Sequence, residues 1–290
     1  MGEVFLMHRV KDEWLTFLEA KNERTDNWWS RKLALLDRRD AEIIRINGNG
    51  QIFEDLRYDD ETHAKYLLHL SFLIKQRDHY YIEEHVKPYQ FWLKNGDVLD
   101  HREISITRDR TEEEDQVLQE DLTRNHSERF TYDRLAAVQY AERWWNNYNP
   151  NFQRFSVDCT NFVSQCLYAG GAPMRGAPSR EEGWWYQGEK WSFSWSVAHS
   201  LRWYLSGSTQ GLRGKEVESA KELEPGDVIC YDFEGDGRYD HTTFVVAKDA
   251  EGMPLVNAHT ENSRHRYWSY EDSTAWTPDM KYKFFQIGKE

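Results

Sequence analysis

Three side chains have the types and the chain order that acyl-transfer chemistry requires: a thiol, then an imidazole, then an amide. Cys159 opens the run Asp158-Cys159-Thr160-Asn161-Phe162-Val163-Ser164-Gln165-Cys166-Leu167-Tyr168-Ala169-Gly170-Gly171, and His241 stands in Asp240-His241-Thr242-Thr243-Phe244-Val245-Val246. Asn257 follows in Leu255-Val256-Asn257-Ala258-His259. Only the thiolate attacks a carbonyl efficiently, so something must draw the proton from Cys159. A place in the first helical turn offers the positive end of the helix dipole, and an imidazole can accept the proton. First-turn amides have no partner inside the helix, which makes the Asp158 and Cys159 N–H groups candidates for an oxyanion site. The imidazole needs a polar neighbour to fix its ring, and a strand over 255–259 puts Asn257 and His259 on one face. Asn257 is the favoured partner and His259 the alternative.

The blander reading of each residue is also physical. Cys159 lies on the apolar stripe of its own helix and could be a small buried hydrophobe, as Cys166 and Cys230 are expected to be. A lone histidine at a strand start is more often structural than catalytic. The order thiol, imidazole, amide on helix start, strand start and following strand is what favours chemistry. A zinc site from Cys159, His241 and His259 has suitable ligand types but lacks CxxC or HExxH spacing. The loop Asp232-Phe233-Glu234-Gly235-Asp236-Gly237-Arg238-Tyr239-Asp240 has the acidic spacing of a calcium loop in Asp232, Glu234, Asp236 and Asp240. Thr243 stands where such a loop needs a bidentate Glu, so a solvated acidic turn is expected.

These residues must be held by regular elements. Cys159, Phe162, Val163, Cys166 and Leu167 recur at helical spacing, and Gly170-Gly171 supplies the stop. Thr131 is an expected N-cap for a preceding helix that carries Ala137, Tyr140, Ala141, Trp144 and Trp145 and ends at Asn149-Pro150. Segments 228–233, 241–247 and 255–259 read as consecutive strands after the turn Glu224-Pro225-Gly226-Asp227. Trp184, Trp185, Trp191, Trp195 and Trp203 lie between the thiol and the imidazole and are expected to be mainly core, with part of the cluster available to wall a groove. Earlier in the chain, helix is expected over about 10–39 with a break near Thr25-Asp26-Asn27. A strand then runs to a tight turn at Asn47-Gly48-Asn49-Gly50, and further strands over 66–74, 80–86 and 89–93 precede a hairpin at Asn95-Gly96. The fold class is α+β in two domains. Residues 1–106 form a small helix-then-curved-sheet unit of cystatin-like or NTF2-like kind that positions a substrate or partner, 107–130 form a charged linker, and 131–290 hold the thiol and imidazole.

Composition narrows the function classes. A formal net charge of −13 with no basic block argues against nucleic acid and anionic membranes as partners. Three cysteines make no disulfide framework, and neither an export leader nor a long apolar segment is visible, so a reducing, cytoplasmic setting is expected.

At the residues quoted above, together with Leu223-Glu224-Pro225-Gly226-Asp227-Val228-Ile229 and Asn257-Ala258-His259-Thr260, the chain resembles the bacterial putative amidase domain family, related to the NlpC/P60 and CHAP groups of the papain-like fold. The resemblance covers about residues 130–290. It implies a helix with the nucleophile packed on an antiparallel sheet with the base: Cys159 as nucleophile, His241 as base and then acid, Asn257 as the orienting residue. It further implies amide or peptide substrates, with cell-wall peptidoglycan as their expected source. In NlpC/P60 the third position is often histidine, which keeps His259 in play. The expected activity is therefore a cysteine-dependent hydrolase acting through a thioester, with no cofactor. The alternatives are an acyltransferase with the same triad and a catalytically silent scaffold.

Overall fold

The computed structural model describes residues 3–19, 26–104 and 130–289. The chain divides into two compact units, Met1–Ser105 with Glu271–Thr274, and Ile106–Tyr270 with Ala275–Glu290. The charged run Asp109–Asp115 lies outside the described residues. No helix among the described residues is long and apolar enough to cross a membrane.

The first unit carries α1 (Glu3–Glu19), α2 (Trp28–Arg38) and an antiparallel sheet of β1 (Ala41–Tyr58), β2 (Glu61–Gln76), β3 (His79–Lys94) and β4 (Asp97–Glu103), in that spatial order. Asn27 caps α2 by accepting from the Trp29 and Ser30 amides. The strict alternation of buried residues along β2 and β3 places Tyr66, Leu68, Leu70, Phe72 and Ile74 in one core with Phe91, Leu93 and Trp29. Asn95 and Gly96 both have positive φ and make the expected hairpin between β3 and β4.

Two local expectations are corrected. Residues 47–50 form no turn, because β1 continues through them in register with β2. A Cβ on Gly50 would displace the flexible end of the Met7 side chain, so α1 packs close to the strand at this point and the chain does not reverse there. The strands expected at 80–86 and 89–93 are one, since Pro88 sits inside β3 opposite Leu67 with its carbonyl accepting from Ile104 N–H at 2.9 Å.

The second unit carries α3 (Arg134–Trp144), α4 (Cys159–Ala169), the short hairpin β5 (Tyr186–Gln187) and β6 (Lys190–Trp191), α5 (Phe193–Ser196) and α6 (Ala198–Gly207). Its remaining strands are β7 (Gly214–Val217), β8 (Val228–Asp232), β9 (His241–Lys248), β10 (Pro254–Ala258), β11 (Asn262–Tyr267) and β12 (Lys281–Ile287). They form an antiparallel sheet in the order β11-β10-β9-β8-β12-β7. The architecture is thus mixed α+β with extensive antiparallel sheet. Asp133, not Thr131, caps α3, its carboxylate accepting from Ala136 N–H at 3.0 Å. α4 runs over the predicted residues and ends before Gly171, whose φ of +87° suits only a glycine stop.

One face of this sheet is covered by helices. Phe162, Val163, Cys166 and Leu167 of α4 pack with Ala137 and Ala141 of α3 against Cys230, Phe244 and Val246. The other face has its own core of Ile229, Tyr231, Val245, Val256, Ala258 and Tyr270. Residues 241–246 of β9 are therefore buried on both faces.

Candidate active site

Asp158 and Cys159 sit where α4 begins, and the chain around them is tied down from several sides. Asp158 Oδ1 accepts from Phe155 N–H at 2.9 Å and Asn161 Nδ2 at 3.0 Å, while Oδ2 meets His259 Nδ1 at 2.7 Å. The Asp158 carboxylate makes no capping bond to the helix. Thr260 does that work instead, its Oγ1 accepting from the N–H of Asp158 at 3.0 Å and of Cys159 at 3.2 Å. Thr260 has φ +81°, a left-handed conformation costly for a β-branched residue, so backbone strain is spent to bring its hydroxyl to the helix start. The expected free amide at Cys159 is corrected accordingly: in this arrangement it already has an acceptor.

Cys159 is 1 % exposed to solvent and borders a cavity of about 270 Å³, with Thr160, Arg180, Trp191, Tyr239 and Asp240 among its walls. Its Sγ lies 3.7 Å from Thr160 Oγ1, which is 3.1 Å from Thr242 Oγ1 on β9. The other two thiols are core. Burial pushes Cys166 well up from its ordinary range, and burial pushes Cys230 up although Arg202 opposes it.

The same Thr160–Thr242 contact fixes which way His241 faces. Thr242 points toward α4, and alternation sends the neighbouring His241 ring to the opposite face of the sheet. There it lies 5.2 Å from the Tyr270 ring, 5.6 Å from Tyr231 and 6.0 Å from Phe233. Asp240, one residue earlier, lines the cavity. The structure therefore brings His241 to the strand start but not onto the face that carries Cys159, and the three-way zinc set is not gathered either.

Asn257 does share the helix-facing side, yet its bonds are architectural. Its Nδ2 donates to Ala141 O at 3.3 Å and Glu142 Oε1 at 3.1 Å, and its Oδ1 accepts from His265 N–H at 2.9 Å. His259 stacks on Phe162 at 4.1 Å between ring centres and contacts Trp144 O through Nε2 at 2.7 Å. Both of its ring nitrogens thus lie at hydrogen-bond distance from oxygen atoms, Asp158 Oδ2 and Trp144 O. It anchors Asp158 and leaves neither nitrogen for a thiol.

Of the four acidic residues in the loop after β8, the carboxylates of Asp232, Glu234 and Asp240 approach within 4.8 Å of one another. Asp236 turns away to cap Arg238 N–H at 2.8 Å. Asp232 accepts from the amides of Gly235, Asp236 and Gly237 at 2.7, 3.2 and 2.8 Å, and Thr243 is engaged with Tyr231 Oη at 2.9 Å. The loop is organised by its own backbone.

The aromatic segment divides as well. Trp184 and Trp195 are buried, 4.9 Å apart between ring centres, and hold α4 by donating to Ser164 Oγ at 3.0 Å and Asn161 Oδ1 at 2.8 Å. Trp191 reaches the cavity and Trp203 is 40 % exposed. Sequence reasoning passed over Thr260, Thr160, Thr242 and Arg180. Thr260 closes the quoted Asn257-Ala258-His259-Thr260 segment but carries no assigned role there, whereas Arg180 lies in a loop with no periodic signal.

A family model described as "Putative amidase domain" matches residues 131–285. The chain is 49 % identical over 266 residues to the uncharacterized protein YhbB of Bacillus subtilis (strain 168), spanning 89 % of this chain and 85 % of that protein. It is 26 % identical over 198 residues to the uncharacterized protein YjcM of the same organism, spanning 62 % of this chain and 43 % of that protein. No solved structure matches it.

Proposed function

The chain belongs to the putative amidase domain family, and from this membership we propose that it is a cysteine-dependent amide hydrolase with Cys159 as nucleophile. The observation that carries this reading is the position of Cys159, a thiol in the first turn of α4 that borders a cavity walled by charged and aromatic side chains. A papain-like ancestry shared with NlpC/P60 and CHAP domains, and a cystatin-like or NTF2-like first unit that positions substrate, belong to the same proposal. So do peptide bonds of peptidoglycan origin as one substrate class, which rests on analogy of fold.

In this mechanism the Cys159 thiolate attacks the amide carbonyl, the C–N bond breaks as the amine leaves with a proton from an imidazolium, and water hydrolyses the thioester. His241 is the imidazole of the proposal. Its service requires the start of β9 to turn the ring from Tyr231, Phe233 and Tyr270 toward the cavity wall beside Asp240. Oxyanion stabilisation by the Cys159 amide likewise requires the substrate oxygen to replace Thr260 Oγ1.

The test is cleavage of a panel of peptides and peptidoglycan fragments by the native protein and by Cys159→Ala. We expect Cys159→Ala to lower the rate at least about 1000-fold. Equal cleavage by both proteins would remove Cys159 from the mechanism.

The placement of the His241 ring favours a second reading, a catalytically silent scaffold. Iodoacetamide labelling against pH separates the two. An activated Cys159 reacts well below the usual thiol range, near pH 8.5, and loses that reactivity in His241→Ala. An ordinary thiol profile unmoved by His241→Ala supports the scaffold.

A further inference from the structure

We propose that Arg180 makes the Cys159 cavity selective for amides that carry a free carboxylate beside the scissile bond, an inference that rests on the cysteine-hydrolase reading. Arg180 and Cys159 line the same cavity of about 270 Å³. The described contacts of the Arg180 guanidinium are with rings, Phe193 at 4.8 Å and Trp191 at 5.7 Å, rather than with carboxylates. A guanidinium laid over aromatic faces keeps its N–H edge for a ligand, and its planar fork matches a carboxylate with two parallel hydrogen bonds.

The loop beneath it is fixed before any ligand arrives. Trp185, 1 % exposed, donates its indole N–H to both Ser179 O at 2.9 Å and Glu182 O at 3.1 Å, straddling Arg180 in the chain. Phe193 N–H donates to Arg180 O at 2.7 Å. Ordering this rim adds little to the entropic cost of binding, because the backbone that presents the guanidinium is already immobilised. The exposed Glu181 and Glu182 come next in sequence but are not among the cavity walls.

Charge balance sharpens the assignment. A protein with a formal net charge of −13 repels anions at long range, so a cation held over two rings at a nucleophile's cavity departs from the general character of the molecule. Arg238 and Asp240 line the cavity as well, an opposite-charge pair two residues apart in the chain, and Asp240 disfavours an anion beside itself, which leaves the Arg180 side for the carboxylate.

Two reagents that differ only in a carboxylate test the proposal on the full chain. Iodoacetate and iodoacetamide alkylate the same sulfur. Relative to a free thiol, Cys159 should favour iodoacetate by about tenfold, Arg180→Gln should abolish that preference, and Arg180→Lys should retain part of it. A preference unchanged in Arg180→Gln overturns the proposal. The second arm needs no reaction: N-acetylphenylalanine and N-acetylphenylalaninamide are titrated calorimetrically into Cys159→Ala, with and without Arg180→Gln. The acid should bind about tenfold more tightly than the amide only where Arg180 is present; parity, or no binding of the acid, overturns the proposal. Slow labelling by both reagents together with Arg180-dependent binding of the acid sinks the nucleophile reading and leaves the anion site standing. Fast labelling without any Arg180-dependent preference does the reverse.

Discussion

A hydroxyl on a strained residue holds the start of the nucleophile's helix. Thr260 Oγ1 is the shared acceptor for the Asp158 and Cys159 amides, the role an N-cap side chain usually fills from within the helix. Removing that oxygen leaves two amides to find another partner, so Thr260→Ala should lower stability by about 1 kcal/mol in urea denaturation. Thr260→Ser keeps the oxygen and sheds the branch that resists φ of +81°, so it should match or exceed the native protein. If Ala and Ser behave alike, the two hydrogen bonds contribute nothing and the helix start is held by Asp158 and His259 alone.

Between elements, the decisive joint is Glu142 on α3. Its Oε1 accepts from His265 Nε2 at 2.8 Å and Asn257 Nδ2 at 3.1 Å, and its Oε2 accepts from Arg264 Nε at 2.7 Å, so one carboxylate ties α3 to β10 and β11. Burial acts to raise its pKa, but the His265 hydrogen bond and charge, with Arg264, hold it down at about 2. A depressed folded value means this linkage is present above the ordinary carboxylate range and is lost as pH falls toward about 2. Glu142→Gln should therefore be less stable than the native protein at pH 7 and should converge with it in acid, as followed by thermal unfolding across pH. Such joints explain what the sequence could and could not reveal. The spacing of Cys159, Phe162, Val163 and Cys166 announces α4 because only one face of a helix meets the core. β9 carries no comparable sign: Thr242, Phe244 and Val246 meet the helices, while Thr243 and Val245 meet a second core, so two-sided burial erases the alternation that would have told which way His241 points. The continuity of β1 through Gly48 and Gly50 was equally hidden, since it depends on pairing with β2 and on the distant Met7 side chain.

At the scale of the molecule, each unit has its own core, and the first also buries an ionic knot. Lys32 Nζ lies 2.6 Å from Glu83 Oε1 and 3.2 Å from Asp272 Oδ2, all three side chains no more than 2 % exposed, and His85 Nε2 meets the same Glu83 oxygen at 2.6 Å. Burial would raise the Glu83 pKa, yet the Lys32 ammonium and the His85 hydrogen bond hold it below its usual value. Stability from this knot is thus present above the ordinary carboxylate range and is lost as pH drops through the depressed value. Lys32→Met strips the cation from two buried carboxylates and should cost about 3–5 kcal/mol, read as a fall in the unfolding midpoint; a loss under 1 kcal/mol would mean the carboxylates take up protons instead. The second unit offers a way to watch its own site assemble. Trp184 and Trp195, close enough for their electronic transitions to mix, are each hydrogen-bonded to α4, the one through Ser164 and the other through Asn161. Set against the constant contribution of the Trp28–Trp29 pair, 5.7 Å apart in the first unit, their coupled circular-dichroism signal is an optical gauge of the helix that bears Cys159, legible without labels in the second-unit variants considered above.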